Sequence, residues 1–119
     1  MKLIKGFGYA IKGIGIAFKE QLNLKIHFLA VAVVIGAGIF FELNTTEWAI
    51  IFVTFGMVIT AEMLNTAIEY LVDLVSPNYN AQAGKVKDVA AGAVLISAIT
   101  ATVVAVFIFG NKFFQQIFG

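Results

Sequence analysis

The chain has 119 residues, 61% of them hydrophobic and 13% charged, with a net charge of +1. Soluble domains are about 45–50% apolar, so this composition reads as one integral-membrane domain over residues 1–119, and the near-neutral balance gives no general affinity for nucleic acid. All eight basic residues are Lys, none is Arg, and there is no Cys, which excludes bidentate guanidinium clamps on phosphate, disulfides and thiolate chemistry.

Residues 2–22 carry an amphipathic pattern. Leu3, Ile4, Phe7, Ile11, Ile14, Phe18 and Leu22 fall within about 100° of one another on a helical projection, and Lys2, Lys5, Lys12 and Lys19 gather on another side. This predicts a helix lying in the membrane surface, its lysines against anionic headgroups. Gly6, Gly8, Gly13 and Gly15 lower its intrinsic stability, so the bilayer or the rest of the protein must support it. The spread of lysines leaves no compact apolar stretch of the kind a signal peptide needs.

The first membrane span is expected over 24–41, with Lys25 and His27 at its entrance. His27 reads as an interface residue, hydrogen-bonded to headgroups or backbone. Glu42 to Glu47 form a polar loop in which Asn44 or Thr45 can cap the next helix, and Trp48 stands where an interfacial aromatic belongs.

The second helix is expected over 48–74. No charge interrupts it from Trp48 to Ala61, and then Glu62, Asn65, Glu69 and Asp73 fall on one narrow stripe. Glu62 lies roughly 21 Å along the helix from Trp48, within a hydrocarbon core about 30 Å thick. It is therefore deep, toward the far side, while Glu69 and Asp73 emerge near the second interface. An acid at the bilayer centre costs roughly 2.5–3.5 kcal/mol, and such residues are by default functional. A polar contact inside a helix bundle is the structural alternative for Glu62, and interhelical hydrogen bonding the alternative for Asn65. Taken by itself, Asp73 is better accounted for as a solvated helix end.

Ser76 to Asn80 form a turn around the only Pro. Lys85, Lys87 and Asp88 then open a third helix, expected over 85–109, whose membrane span runs from Val89 to Phe109. Ala90-Ala91-Gly92-Ala93 is a small-residue patch suited to close helix packing. Lys residues cluster before the first span and in the second loop, whereas the first loop carries Glu42 and Glu47. The positive-inside rule therefore puts the N-terminus and second loop in the cytoplasm and the C-terminus outside.

Glu62, Asn65, Glu69, Asp73, Lys87, Asp88 and Glu20 thus converge on the cytoplasmic interface. Carboxylates with carbonyls and water suit Mg²⁺, which usually keeps substrate phosphates as further ligands. A deeper carboxylate suits removal of a proton from a hydroxyl lying in the membrane. The set favours phosphoryl transfer from a water-soluble donor to a lipid alcohol. Gly6-Phe7-Gly8 and Gly13-Ile14-Gly15 do not add a nucleotide motif, since no strand precedes them and no Gly-Lys-Ser/Thr follows.

Over nearly its whole length the chain resembles the small integral-membrane prokaryotic diacylglycerol kinase/undecaprenol kinase family. The resemblance rests on Glu62-Met63-Leu64-Asn65-Thr66-Ala67-Ile68-Glu69, on Val72-Asp73, and on Lys87-Asp88 followed by Ala91-Gly92-Ala93-Val94-Leu95. It implies an all-α membrane protein of three transmembrane helices plus the N-terminal surface helix, assembled as a homotrimer in the bacterial cytoplasmic membrane. It also implies ATP and Mg²⁺, with undecaprenol or diacylglycerol as the lipid. By position, Glu62 resembles the catalytic base, supported by Asn65, and Glu69 a metal and nucleotide ligand. Lys87 and Asp88 resemble the nucleotide-contacting pair, with Tyr9 and Tyr79 further nucleotide-side residues. The family's second metal-binding Glu is Gln21 here, with Glu20 beside it. Gln offers a carbonyl oxygen without charge, which weakens the expected metal site. Asn23 and His27 resemble the undecaprenol-specific branch. Two other readings stay open: a small proton-coupled transporter, since graded acids on a membrane helix suit a proton relay, and a catalytically silent relative that binds lipid or nucleotide.

Overall fold

The computed structural model describes all of residues 1–119. It consists of four helices: α1 (Lys2–Glu20), α2 (Leu22–Phe40), α3 (Thr45–Val75) and α4 (Ala81–Phe118). Each junction between them has a local cause. Gln21 alone separates α1 from α2; it is extended, at φ −109° and ψ 112°, and its N–H still closes the last turn on the Ala17 carbonyl. The first helix therefore ends at Glu20 rather than Leu22.

The end of α2 is a Schellman turn. The Leu43 N–H donates to the Gly38 carbonyl at 3.1 Å and the Glu42 N–H to the Ile39 carbonyl at 3.2 Å. Glu42 takes the left-handed position, at φ 56°, where Gly is the usual occupant. Leu43 turns inward and is buried.

Asn44 then starts α3 with a capping box. Its side chain accepts from the Glu47 N–H at 2.9 Å, and the Glu47 carboxylate accepts from the Asn44 N–H at 3.0 Å. The same Glu47 oxygen receives Lys112 Nζ at 3.0 Å, which ties the far part of α4 to the start of α3. This cap begins the helix at Thr45, three residues before Trp48. At its other end the Ser76 hydroxyl donates to the Asn78 carbonyl, and Asn80 caps α4 by accepting from the Gln82 and Ala83 N–H groups. That cap starts α4 at Ala81, ahead of the expected Lys85. The helix also continues beyond Phe109 to Phe118, because neither Gly110 nor any later residue leaves helical geometry and no Pro follows.

α3 and α4 form the most extensive helix pair, with α2 against α3 and α1 near both α2 and α3. The closely packed core lies at the Trp48 end. Leu43, Ile51 and Ile108 are buried there, with Val34, Trp48, Phe55, Val104 and Phe109 around them. Elsewhere burial is sparse: 13 of 119 residues are buried, while Phe52 is 80% and Leu74 80% exposed. Apolar side chains on the outside are the reverse of a water-soluble bundle and match helices solvated by hydrocarbon. Three helices, α2, α3 and α4, are long and apolar enough to cross a membrane. Their Thr and Ser hydroxyls do not need water. Thr54 donates to the Ile50 carbonyl, Ser97 to that of Val94, Thr100 to that of Ile96 and Thr102 to that of Ala98.

At about 1.5 Å per residue α2 is roughly 28 Å long, α3 roughly 46 Å and α4 roughly 57 Å. The last two exceed a hydrocarbon core of about 30 Å. The polar end of α3 and the polar start of α4 can therefore stand clear of it together, and these segments carry the candidate site.

Candidate active site

The acidic stripe of α3 is graded in burial as its spacing predicts. Glu62 is 4% exposed and Thr66 5%, whereas Asp73 is exposed. The Thr66 hydroxyl donates to the Glu62 carbonyl at 3.0 Å, so its polarity is spent within the helix. The Glu62 carboxylate has one partner, His27 on α2, whose Nε2 lies 3.1 Å from Oε1. His27 is thus a side chain of the site rather than the headgroup-facing residue expected from its place at the entrance to the span. The reason is register. Counted from the Schellman turn, His27 lies roughly 20 Å back along α2 and Glu62 roughly 26 Å forward along α3, which brings the two to similar depth.

One turn further on, Asn65 Nδ2 donates to Glu69 Oε1 at 3.4 Å. The other Asn65 atom, Oδ1, is buried and has no partner. An unpaired buried acceptor costs free energy unless a ligand completes it. Glu20 also reaches this part of α3: its carboxylate accepts from the Tyr70 hydroxyl, and Tyr70 lies within the fields of both Glu20 and Glu69. Because Gln21 is extended, Glu20 and Gln21 are not successive positions of one helix, and the angle of about 100° between helical neighbours does not govern them.

Nearer the turn, Lys87 Nζ donates to Asp73 Oδ1 at 2.6 Å across α3 and α4. Lys87 is also within the field of Glu69. Asp73, Tyr79, Asn80, Lys87 and Asp88 line one polar cavity of ≈ 240 Å³ in the α3–α4 turn. Two of its sides come from the turn's own fold, Ser76–Pro77–Asn78 and the Asn80 cap. The structure thus brings Tyr79, Lys87 and Asp88 together. Tyr9 stays apart, 72% exposed and without a hydrogen-bond partner.

No three carboxylates or imidazoles gather at a spacing that would hold a metal on their own. The donors present are the Glu69 carboxylate and the orphaned Asn65 carbonyl, with the Glu20 carboxylate nearby. Mg²⁺ is commonly bound through one or two carboxylates plus substrate phosphates, so this set fits a magnesium ion that arrives with a phosphate ligand.

A second, apolar cleft of ≈ 210 Å³ lies between α2, α3 and α4. His27, Ala30, Val34, Val58, Ala98 and Ala101 are among its lining residues. His27 therefore borders both the buried carboxylate and a hydrocarbon-lined space. The arrangement offers a wet, cation-bearing cavity at the helix ends and a carboxylate at greater depth, joined along one face of α3.

The family model described as prokaryotic diacylglycerol kinase matches residues 8–109. An undecaprenol kinase of Bacillus subtilis (strain 168) is 36% identical over 93% of this chain and 90% of its own. A diacylglycerol kinase of Synechocystis sp. is 41% identical over 86% of this chain and 59% of its own. A diacylglycerol kinase of Escherichia coli (strain K12) is 28% identical over 86% of this chain and 84% of its own.

Proposed function

The chain belongs to the prokaryotic diacylglycerol kinase family, and we propose that it transfers the γ-phosphoryl group of ATP to the hydroxyl of a membrane lipid, undecaprenol or diacylglycerol, at the cytoplasmic membrane surface. The observation that carries this reading is the Glu62 carboxylate, 4% exposed in a membrane-length helix, on the same face as the polar groups at its wet end. A lipid hydroxyl and a water-soluble nucleotide approach such a face from opposite directions.

In this mechanism Glu62 takes the proton from the lipid hydroxyl as the lipid oxygen bonds to the γ-phosphorus. The bond from that phosphorus to the β,γ-bridging oxygen breaks, and ADP departs with the electron pair. The Lys87 ammonium and the Asp88 carboxylate, with Tyr79, hold the nucleotide in the cavity at the α3–α4 turn, with Tyr9 as a further nucleotide-side contact. Glu69, Asn65 and either Gln21 or Glu20 hold Mg²⁺, which supplies charge neutralisation at the phosphates. Lys87 adds positive charge where the transferring group gathers negative charge. Asn65 fixes the Glu69 carboxylate through its amide hydrogen bond.

The reading extends to the assembly. The protein acts as a homotrimer in the bacterial cytoplasmic membrane, with α1 lying in its inner surface and the α3–α4 turn in the cytoplasm. Placement of the lysines supports this orientation, and the separated lysine and apolar sides of α1 support its surface position. Between the two lipids, undecaprenol is favoured. The relative matched over the larger share of both chains bears that name.

The test is a side-by-side assay in mixed micelles: Mg²⁺-dependent transfer of labelled phosphate from ATP to undecaprenol and to diacylglycerol. Transfer to undecaprenol with a higher kcat/KM is expected. Transfer to neither, from correctly assembled protein, would contradict the kinase reading and leave a silent binding relative.

A further inference from the structure

Resting on the kinase reading above, we propose that His27 is a positioning residue: it donates from Nε2 to Glu62 Oε1 and thereby leaves Glu62 Oε2 as the oxygen that takes the proton of the lipid hydroxyl. The single short contact of the Glu62 carboxylate is with His27 Nε2, at 3.1 Å. The pair joins α2 to α3 across 35 residues of sequence, and its side chains are 23% and 5% exposed. A carboxylate that serves as a base must be ionised when the lipid arrives, and an ionised carboxylate only accepts hydrogen bonds. The neighbouring nitrogen must then carry the hydrogen, so the neutral imidazole is the Nε2–H tautomer.

Two consequences follow for the reaction. One Glu62 oxygen is occupied by a donor fixed to another helix, and this removes the freedom of the carboxylate to rotate. The second oxygen is the one left to meet a hydroxyl. The imidazole also borders the apolar cleft between α2, α3 and α4, so a hydroxyl at the end of a hydrocarbon chain comes to the carboxylate past the His27 ring. No lysine contacts Glu62, since Lys87 is paired with Asp73 and Lys112 with Glu47. The orientation of the base therefore depends on this one side chain.

The chain contains one His, so labelling with ¹⁵N-histidine gives a single side-chain spectrum from the full-length protein in lipid bilayers. The Nε2 atom is expected to carry hydrogen, and its resonance is expected to move in Glu62→Ala. Protonation at Nδ1 alone, or a spectrum indifferent to Glu62→Ala, would overturn the proposal. Steady-state kinetics supply the second arm. His27→Leu is expected to lower kcat between about tenfold and 100-fold, the scale of a misplaced reacting group, while KM for ATP stays within about twofold. His27→Gln, whose amide nitrogen can donate from nearly the same place, is expected to restore most of kcat. An unchanged kcat in His27→Leu, or a Gln variant as impaired as the Leu variant, would overturn the positioning role. A wild-type protein that gave the expected spectrum but no phosphate transfer would overturn the kinase reading, and the catalytic role with it, while leaving the contact itself demonstrated.

Discussion

A buried carboxylate in a membrane helix is tolerated only when hydrogen-bonded, and Glu62 has one such bond, shared with His27. The neighbouring carboxylates differ in the same way: Glu69 receives the Asn65 amide, Asp73 the Lys87 ammonium and Glu20 the Tyr70 hydroxyl. The stripe of Glu62, Asn65, Glu69 and Asp73 was legible from helical periodicity alone, because all four share one helix. The His27 and Tyr70 partnerships were not, because each needs the register between two helices. Gln21 stands where the family resemblance implies a metal-binding Glu. It is the extended link between α1 and α2 and contributes an uncharged oxygen at most. Gln21→Glu adds a carboxylate beside Glu20 and is expected to lower the Mg²⁺ concentration for half-maximal activity severalfold, since Mg²⁺ favours charged oxygen donors. A Mg²⁺ titration of both proteins checks this. Identical curves would show that Glu20 already completes the site.

The helices begin and end for reasons of differing visibility. The Asn44 and Asn80 caps were within reach of the sequence, since Asn before an apolar helix is a common start. The end of α2 was not, because its left-handed residue is Glu42 instead of Gly. The extension of α4 to Phe118 was also hidden: hydropathy marks where a helix crosses hydrocarbon, not where its hydrogen bonding ceases. Gly38 shows what this region demands. A Cβ added there would stand 2.5 Å from Trp48 Cη2 and 3.0 Å from Leu43 Cδ1, inside the small core at this end of the molecule. Gly38→Ala must displace the indole or part α2 from α3. It is expected to destabilise the protein by about 1–3 kcal/mol, the usual cost of overpacking. Thermal unfolding in detergent measures the loss, and the fluorescence of the only Trp should shift with it. An unchanged emission and midpoint would mean that the indole has free space to retreat.

At the scale of the whole molecule, the two ends of the bundle are chemically unlike. The Trp48 end is closed by the capping box, the Glu47–Lys112 ion pair and the apolar cluster around Ile51. The opposite end is opened by the α3–α4 turn and holds the polar cavity, with the buried carboxylate between the two. Stability is thus concentrated away from the reacting groups. This asymmetry is what a kinase with one soluble and one membrane-bound substrate requires, and it was readable in outline from the lysine distribution and the graded acids of α3. How the exposed apolar faces are divided between lipid and neighbouring copies was not, because both partners select the same side chains. The central claim is that Glu62 is the base of a lipid kinase. Its most direct test is turnover of Glu62→Gln as purified full-length protein, with molecular mass and ATP binding measured on the same sample. The account predicts that phosphate transfer to the lipid is abolished while a trimer-sized mass and ATP affinity match the wild type. Transfer at near wild-type kcat would contradict it.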